Sequence, residues 1–412
     1  MHDIHDILVI GAGPAGLSLA GVLARQGLAV CIVDPATRES LARPNDDGRE
    51  IALTQLSRQL LEDWGQWPLL GADEFARLRE AQLFDGYATE PMRVSAPQGA
   101  AALGWMASNH ALRRVAYDIA AAQEGIDWRL GHKVVEVTNE AEHADVKLDD
   151  GTTCRARLVI AADSRFSSSR RAAGIAARHH DFGRSMLVCR MHLEKPQPGI
   201  AWEWLAYGQT LALLPLQHDL ASVVITLPPA DIARLQSLSS VAFDEEVTQR
   251  FAHRLGAMHL VGERHAYPLV GVSPERVVAE RFACVGDAAI GMHPITAHGY
   301  NLGLRGIALL VDHIMLARRR GREIASKDTL AAYERDLRAI AQPLYLATLS
   351  VVHLYGDDRP MMRVARRALL RLAQHAAPFR QLLTSALAGR EARPPLPLRL
   401  MARVAASLPG RR

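Results

Sequence analysis

The stretch DILVIGAGPAGLSLAGVLARQGLAVCIVDP, residues 6–35, restricts the fold more than any other part of this chain. Ile7 to Ile10 form a continuous apolar run, as expected of a strand covered on both faces within a parallel sheet. Gly11, Gly13 and Gly16 follow in G-x-G-x-x-G spacing and lead into a helical pattern. In such a turn the first glycine permits the bend, the second lets a pyrophosphate reach the backbone, and the third lets helix and strand pack closely. The helix start then offers free N–H groups to phosphate. Asp34 closes a second apolar run where an acid can accept ribose hydroxyls. Strand, turn, helix, strand and acid together predict a dinucleotide site, without separating NAD from FAD. A βαβ unit with no ligand is the alternative.

A chain of 412 residues has room for two or three domains. Its net charge of +4 hides an asymmetry, because residues 361–412 hold eleven arginines and one acid, Glu391. That segment is about +10, which leaves about −6 for the rest. Basic character is therefore a C-terminal property, and no nucleic-acid-binding face is expected. The four cysteines form no C-x-x-C and three lie in apolar runs, which predicts buried thiols in a reducing, cytoplasmic setting. The apolar stretch LYLATLSVVHLY (344–355) falls short of the ~20 residues that a membrane span needs, so a buried helix is expected there.

Two later segments carry similar punctuation. In CRARLVIAADSRFSSSRRAAGI (154–175) an apolar run ends in Asp163, with Ser167 and Arg170 beyond; an ion-paired loop would explain these equally well. In RFACVGDAAIGMHPITAHGYNLGLRGIALL (281–310) a strand ends in Gly286-Asp287, and a helix starts near Gly299. That helix would aim N–H groups at negative charge, such as the N1–C2 carbonyl edge of a reduced flavin.

The three segments, in this order and separation, resemble those of FAD-dependent aromatic-ring monooxygenases of the p-hydroxybenzoate-hydroxylase-like superfamily. DDGREIALTQLSRQLLEDWGQW (46–67), SNHALRRVA (108–116) and TLAAYERDLRAIAQPL (329–344) are similar to segments of its ubiquinone-biosynthesis hydroxylases. The Ala-His-Gly and Leu-Arg-Gly variants of the third segment look most like the UbiM-type demethoxyubiquinol hydroxylases. The resemblance implies an α/β fold. A Rossmann-type FAD-binding domain would carry an inserted mixed or antiparallel substrate sheet and a C-terminal helical segment. The divisions expected are 1–80, 101–183 and 276–345 for the FAD domain, 81–100 and 184–275 for the substrate domain, and 346–412 for a basic helical region.

Residue by residue, the resemblance places Gly11, Gly13, Ala15, Gly16 and Asp34 at the ADP half of FAD. Arg113 would meet its phosphates or ribityl chain, Asp163 is the acid of the second segment, and Gly286 with Asp287 would meet the ribityl hydroxyls. Gly299, Tyr300 and Asn301 would cradle the pyrimidine edge. The catalytic set it implies is Arg49 beside the flavin, Pro294 over the ring, and His298. Three positions depart from the family pattern: Ser164 for the Gly after Asp163, His298 for Gln, and Gly306 for Asp. His298 either replaces the Gln hydrogen bond or titrates beside the flavin.

The activity implied is ring hydroxylation of a polyprenylated phenol or quinol, with C5 of a demethoxyubiquinol as the first expectation. It would consume O2, proceed through a flavin C4a-hydroperoxide, and draw electrons from NAD(P)H or a reductase partner. A flavin-dependent halogenase is an alternative, its Trp-x-Trp-x-Ile-Pro half met by Trp202-Glu203-Trp204-Leu205-Ala206. A non-catalytic flavoprotein scaffold is another. Alternating segments such as QTLALLPL predict an antiparallel sheet over the flavin, and Trp202, Trp204 and Leu205 would serve either its pocket or its core. HDIHD (2–6), read as a frayed terminus, and RHHDF (178–182) lack zinc-helix spacing, so no metal is expected. The arginine face of MMRVARRALLRLAQ (361–374) predicts attachment to the inner membrane face or to a biosynthetic complex, or a solvated helix.

Overall fold

A computed structural model describes residues 4–86, 90–96, 99, 101–206 and 208–356. The basic segment 361–374 lies outside the described residues. Among those described, three sheets form. The largest has a parallel centre in the order Phe282–Cys284, Thr153–Ala161, His5–Ile10, Val30–Asp34, Ile126–Leu130. Ile7, Leu8 and Val9 are fully buried, in keeping with a strand covered on both faces. His5 opens this strand and approaches Asp127 at 3.3 Å, which corrects the frayed-terminus reading for His5 and Asp6, residues 2 and 3 lying outside the described residues. Pairing along the sheet holds the residue in place.

The helices Pro14–Arg25, Asn109–Ala121 and Gly299–Arg319 bury apolar residues against the main core. The helix Lys327–Gly356 packs on the last of these. Gly306 faces that helix closely: a Cβ there would already be in van der Waals contact, 3.4 Å from Leu337 and 3.8 Å from the Tyr333 hydroxyl. An Asp at this position would push its carboxylate into the helix contact. Tyr333 in turn donates to the Cys284 carbonyl at 2.8 Å, steadying the strand end just before Gly286.

The second sheet has seven strands, in the order Met258–Pro274, Ala177–Leu193, Leu220–Leu227, Gln209–Pro215, Ile200–Ala206, Glu80–Asp85, Met92–Ser95. Its pairs are antiparallel except Ile200–Ala206 with Glu80–Asp85. Period-two alternation gives it two faces. Leu187, Cys189, Val223, Ile225, Leu211, Leu213, Trp202 and Trp204 pack beneath the helices Pro229–Ser237 and Ser240–Arg250 as a second core. The expected division at 183/184 falls inside the strand Ala177–Leu193, and that at 345/346 inside the helix Lys327–Gly356. The long strand crosses between the two units without interruption, with a register shift between Asp181 and Ser185.

The stretch 344–355 is helical, but the burial expected of it is not found. The helix Lys327–Leu354 is long and apolar enough to cross a membrane by length and composition, and only 17% of its most apolar window is buried. Apolar content alone cannot tell a core helix from one that borders an opening; here Leu344, Leu346, Ala347 and Val351 line a cavity.

Candidate active site

One cavity of about 3070 Å³ runs from the glycine turn to the free face of the seven-stranded sheet. Small-molecule sites usually measure ~300–1,000 Å³, so this one has room for a dinucleotide and a second ligand. Gly11, Gly13, Ala15, Asp34, Arg49, Arg113, Asp163, Gly286, Asp287, Pro294, His298, Gly299 and Tyr300 all border it. Gly16 and Asn301 stand just behind that lining.

The glycines divide by task. A Cβ at Gly16 would sit 1.9 Å from the Gly11 carbonyl oxygen, and one at Gly11, where φ is +106°, would sit 2.7 Å from that of Ala162. These two let the chain pack on itself. Gly13 and Gly299 have nothing within 4 Å, so a Cβ there would fill ligand space. The helices Pro14–Arg25 and Gly299–Arg319 start at the cavity without a side-chain cap, whereas Thr37, Thr54, Ser108, Ser167 and Ser239 cap helices elsewhere. Their first N–H groups and positive dipole ends remain available to an anion. Asp34 accepts from the Ala12 N–H at 2.6 Å and the Ala36 N–H at 2.7 Å, tying the turn to the second strand. Each of its oxygens keeps a lone pair for a hydroxyl. Arg113, half-buried on the cavity wall, has no hydrogen-bond or ion-pair partner among the described residues, which suits a phosphate. The open glycines, uncapped helices and unpaired arginine fit FAD.

Arg49 is held rather than free. Its Nε and Nη2 donate to Asp47 Oδ2 at 3.0 and 2.6 Å, and its guanidinium lies 5.4 Å from the Tyr267 ring centroid. Asn109 donates to the same oxygen at 2.7 Å, and the Tyr267 hydroxyl to the Asp47 carbonyl at 2.7 Å. Burial pushes the Asp47 carboxyl up, but Arg49 and Asn109 outweigh it and hold it below the usual range. Glu50 next door is buried and gripped by Arg190 Nε and Nη2 at 3.0 and 2.8 Å. Burial nevertheless lifts it to about 7.

Across the cavity, Asp163 Oδ2 accepts from the Ser169 N–H at 3.2 Å and hydroxyl at 2.9 Å. The arginine nearby is not its ion-pair partner. Arg170, fully buried, donates instead to the carbonyls of Arg165 and Ala288 at 3.2 and 3.0 Å, tying the second segment to the third. Asp287 is engaged by Arg165, whose Nη2 and Nε lie 2.9 and 3.2 Å from Oδ2. Ser164 has φ +101°, a conformation that favours glycine. The family pattern's glycine at this place has a backbone reason, and this chain carries strain there.

The His293-Pro294 corner forms one short turn. His293 Nδ1 accepts from the Ile295 N–H at 3.1 Å, and the ring meets Phe182 edge-on at 4.6 Å. Burial, then Arg165 and His180, push His293 down to about 4, so it is neutral near pH 7. Ala297 adopts a left-handed conformation (φ 52°), and His298 opens the helix, its carbonyl accepting from the Leu302 N–H at 2.8 Å. Burial raises the Tyr300 hydroxyl, which has no partner among the described residues. The Asn301 amide works on the protein's own backbone. Its Nδ2 donates to the Ala52 and Ala297 carbonyls at 2.8 and 2.7 Å, and its Oδ1 accepts from the Thr54 N–H at 2.9 Å. It fixes the helix start against the Glu50–Leu53 strand.

The facing wall is the free face of the seven-stranded sheet: Met186, Val188, Ala201, Leu205, Thr210, Ala212, Val224 and Thr226, with Glu203 among them. Trp202 and Trp204 belong to the second core, although Trp202 also borders the cavity. Reasoning from sequence passed over Arg165, gave Glu203 no role of its own within the tryptophan motif, and weighed His180 and Phe182 only as part of a metal motif. For Glu203 a signal existed: AWEWLA alternates, so the Glu must face away from both tryptophans.

Residues 5–347 match the family model described as FAD binding domain. The chain is 38% identical to a ubiquinone hydroxylase, UbiM, of Neisseria meningitidis, over 93% of this chain and 84% of that protein. It is 31% identical to the ubiquinone hydroxylase UbiL of Rhodospirillum rubrum, over 97% and 92%. In fold it is similar to p-nitrophenol 4-monooxygenase PnpA of Pseudomonas putida, with TM-score 0.75 and 17% identity over 95% of this chain and all of that one. With the glycine cradle, the uncapped helices and the two-walled cavity, these likenesses make the chain an FAD-dependent monooxygenase, a member of the FAD-binding ubiquinone hydroxylase family.

Proposed function

We propose that this enzyme hydroxylates the aromatic ring of a polyprenylated phenol or quinol intermediate of ubiquinone biosynthesis, using O2. One observation carries the reading. The FAD cradle opens into a mainly apolar sheet face and then onto the half-buried apolar run of the helix Lys327–Gly356. A ring fits against the sheet and a polyprenyl chain along the helix.

FAD, when bound, supplies the oxygen-activating two-electron chemistry. The chain's own residues bind, orient and exclude water. Gly13 and the two helix starts receive the dinucleotide, Arg113 its phosphates, and Arg49, braced by Asp47 and Tyr267, borders the reaction space. Val188, Ala212, Val224 and Leu205 keep water from the opposite side. NAD(P)H or a reductase partner delivers the electrons. The enzyme sits peripherally at the inner face of the membrane, where its substrate partitions; the half-buried apolar run of the helix, at the mouth of the cavity, supports this placement.

The test is aerobic turnover of FAD-loaded protein with a short-prenyl demethoxyubiquinol, followed by mass spectrometry, with NADH, NADPH or a flavin reductase as donor. One oxygen added at C5 is expected. Flavin that is reduced and reoxidised with no oxygenated quinol, whatever the donor, overturns the reading.

A further inference from the structure

We propose that Glu203 binds the ring hydroxyl of the substrate and takes its proton as the ring is attacked, an assignment that rests on the hydroxylase reading of this cavity. The carboxyl stands mid-strand in Ile200–Ala206 on the cavity side of the seven-stranded sheet. Its pairing partners are Ala212 on one side and Leu83 on the other. Val224 pairs with Ala212 and Val188 with Val224, so three apolar side chains separate Glu203 from the next ionisable group of the row, His265, which pairs with Val188. It has no hydrogen-bond or ion-pair partner among the described residues. A carboxyl so placed gives the fold nothing and costs it desolvation. A phenolic or quinol hydroxyl entering this space would find it the one carboxyl among Val188, Ala212 and Val224, with the Thr210 and Thr226 hydroxyls also on that wall.

The other ionisable groups on this face are engaged or do not act on Glu203. Arg190 is bound to Glu50 and Asp46, Arg184 donates to the Gly208 carbonyl, and Asp85 pairs in register with Leu205 rather than Glu203. Burial alone pushes Glu203 up to about 8, with no charged neighbour contributing. A base tuned close to working pH is well matched to proton transfer.

The step balances without a further reactant. The ring O–H bond breaks and a carboxyl O–H bond forms on Glu203, leaving a phenolate whose charge enriches the ring carbon that takes oxygen. When that carbon releases its own hydrogen as a proton to water, Glu203 returns its proton to the ring oxygen. One oxygen atom of O2 enters the ring and the other leaves as water, with the two electrons supplied through FAD by the NAD(P)H or reductase donor proposed above.

Glu203→Gln and Glu203→Asp are compared with the wild-type protein, each loaded with FAD. Flavin content and melting temperature are read first to establish folding. kcat/KM for the short-prenyl quinol is then followed from about pH 6 to pH 10. Glu203→Gln is expected to keep its FAD, to lose roughly 100-fold in kcat/KM, and to lose the wild-type ionisation near 8; Glu203→Asp should restore part of the rate and the ionisation. Wild-type rates and an unchanged pH profile in Glu203→Gln overturn the assignment while leaving the hydroxylase reading intact. Absence of hydroxylated product from the wild-type protein instead removes the hydroxylase reading, and Glu203's role with it.

Discussion

The two walls of the cavity are built from different materials. On one side, Gly11, Gly13, Gly286 and Gly299 present backbone with Gly16 packed behind them, and two uncapped helix starts present N–H groups. On the other, a pleated sheet presents alternate side chains, Val188, Val224, Ala212 and Glu203. The first wall recognises what every FAD shares, so its determinants lie in the backbone and tolerate almost no added atoms. The second meets the part of the chemistry that varies between enzymes. Its determinants are side chains, exchangeable without disturbing the strands beneath.

If that contrast is right, substitutions on the two walls should fail in different ways. Gly16→Ala should be the most damaging, because its Cβ would meet the Gly11 carbonyl oxygen at 1.9 Å. We expect a loss of about 3 kcal/mol of stability together with the flavin, read by thermal melting and by absorbance of the purified protein. Glu203→Leu should go the other way. A carboxyl raised from 4.5 to about 8 binds protons more tightly in the folded state, so its cost to folding is absent below pH 4.5, grows as pH rises from 4.5 to 8, and is complete above 8. Removing it should stabilise the protein above that range by about 3 kcal/mol, after allowance for relaxation, and flatten the pH dependence of melting. A variant that melts lower than wild type at high pH would show that the carboxyl has a structural partner.

Gly13→Ala separates cradle from scaffold. No protein atom lies within 4 Å of the new Cβ, so melting of the FAD-free protein should be unchanged while FAD affinity falls about tenfold, or ~1.4 kcal/mol. Titration of the apoprotein by flavin fluorescence checks this. Ser164→Gly should have the smallest effect, a gain of about 1 kcal/mol from relief of the positive φ, measured by denaturant unfolding. Equal stability would mean that the extra freedom of glycine in the unfolded chain cancels the relief.

His293 provides an internal control on the pH argument. Its value is lowered from 6.5 to about 4, so the unfolded state binds more protons between those values and stability falls as pH drops through that window. The two windows overlap with opposite slopes, the histidine's cost being complete below pH 4 and the glutamate's above pH 8, so His293→Phe and Glu203→Leu should raise opposite ends of the same stability profile.

Much of the first wall could be read from residues in order, because a glycine turn between strand and helix is a local event. Gly11, Gly13, Gly16 and Asp34 act within thirty residues of one another, and their spacing carries the geometry. The departures Ser164 and Gly306 were also visible as letters, but their reasons were not. One needed a φ angle, the other the distance to a helix that begins twenty-one residues later. Asn301 shows the same limit: its amide bonds to carbonyls of Ala52 and Ala297 and to the N–H of Thr54, two of them some 250 positions away.

By itself, then, the sequence determined the parallel sheet, the turn that receives a dinucleotide and the alternation of the second sheet, since each depends on neighbours within a few residues. Tertiary structure alone decided which face of that sheet lines the cavity, that Arg165 holds Asp287 while Arg170 leaves Asp163 for backbone carbonyls, that the apolar helix borders an opening, and that Glu203 stands among apolar side chains on the sheet wall. Local geometry follows from short-range sterics and periodicity, whereas the solvation and partners of a side chain are set by segments that only folding brings together.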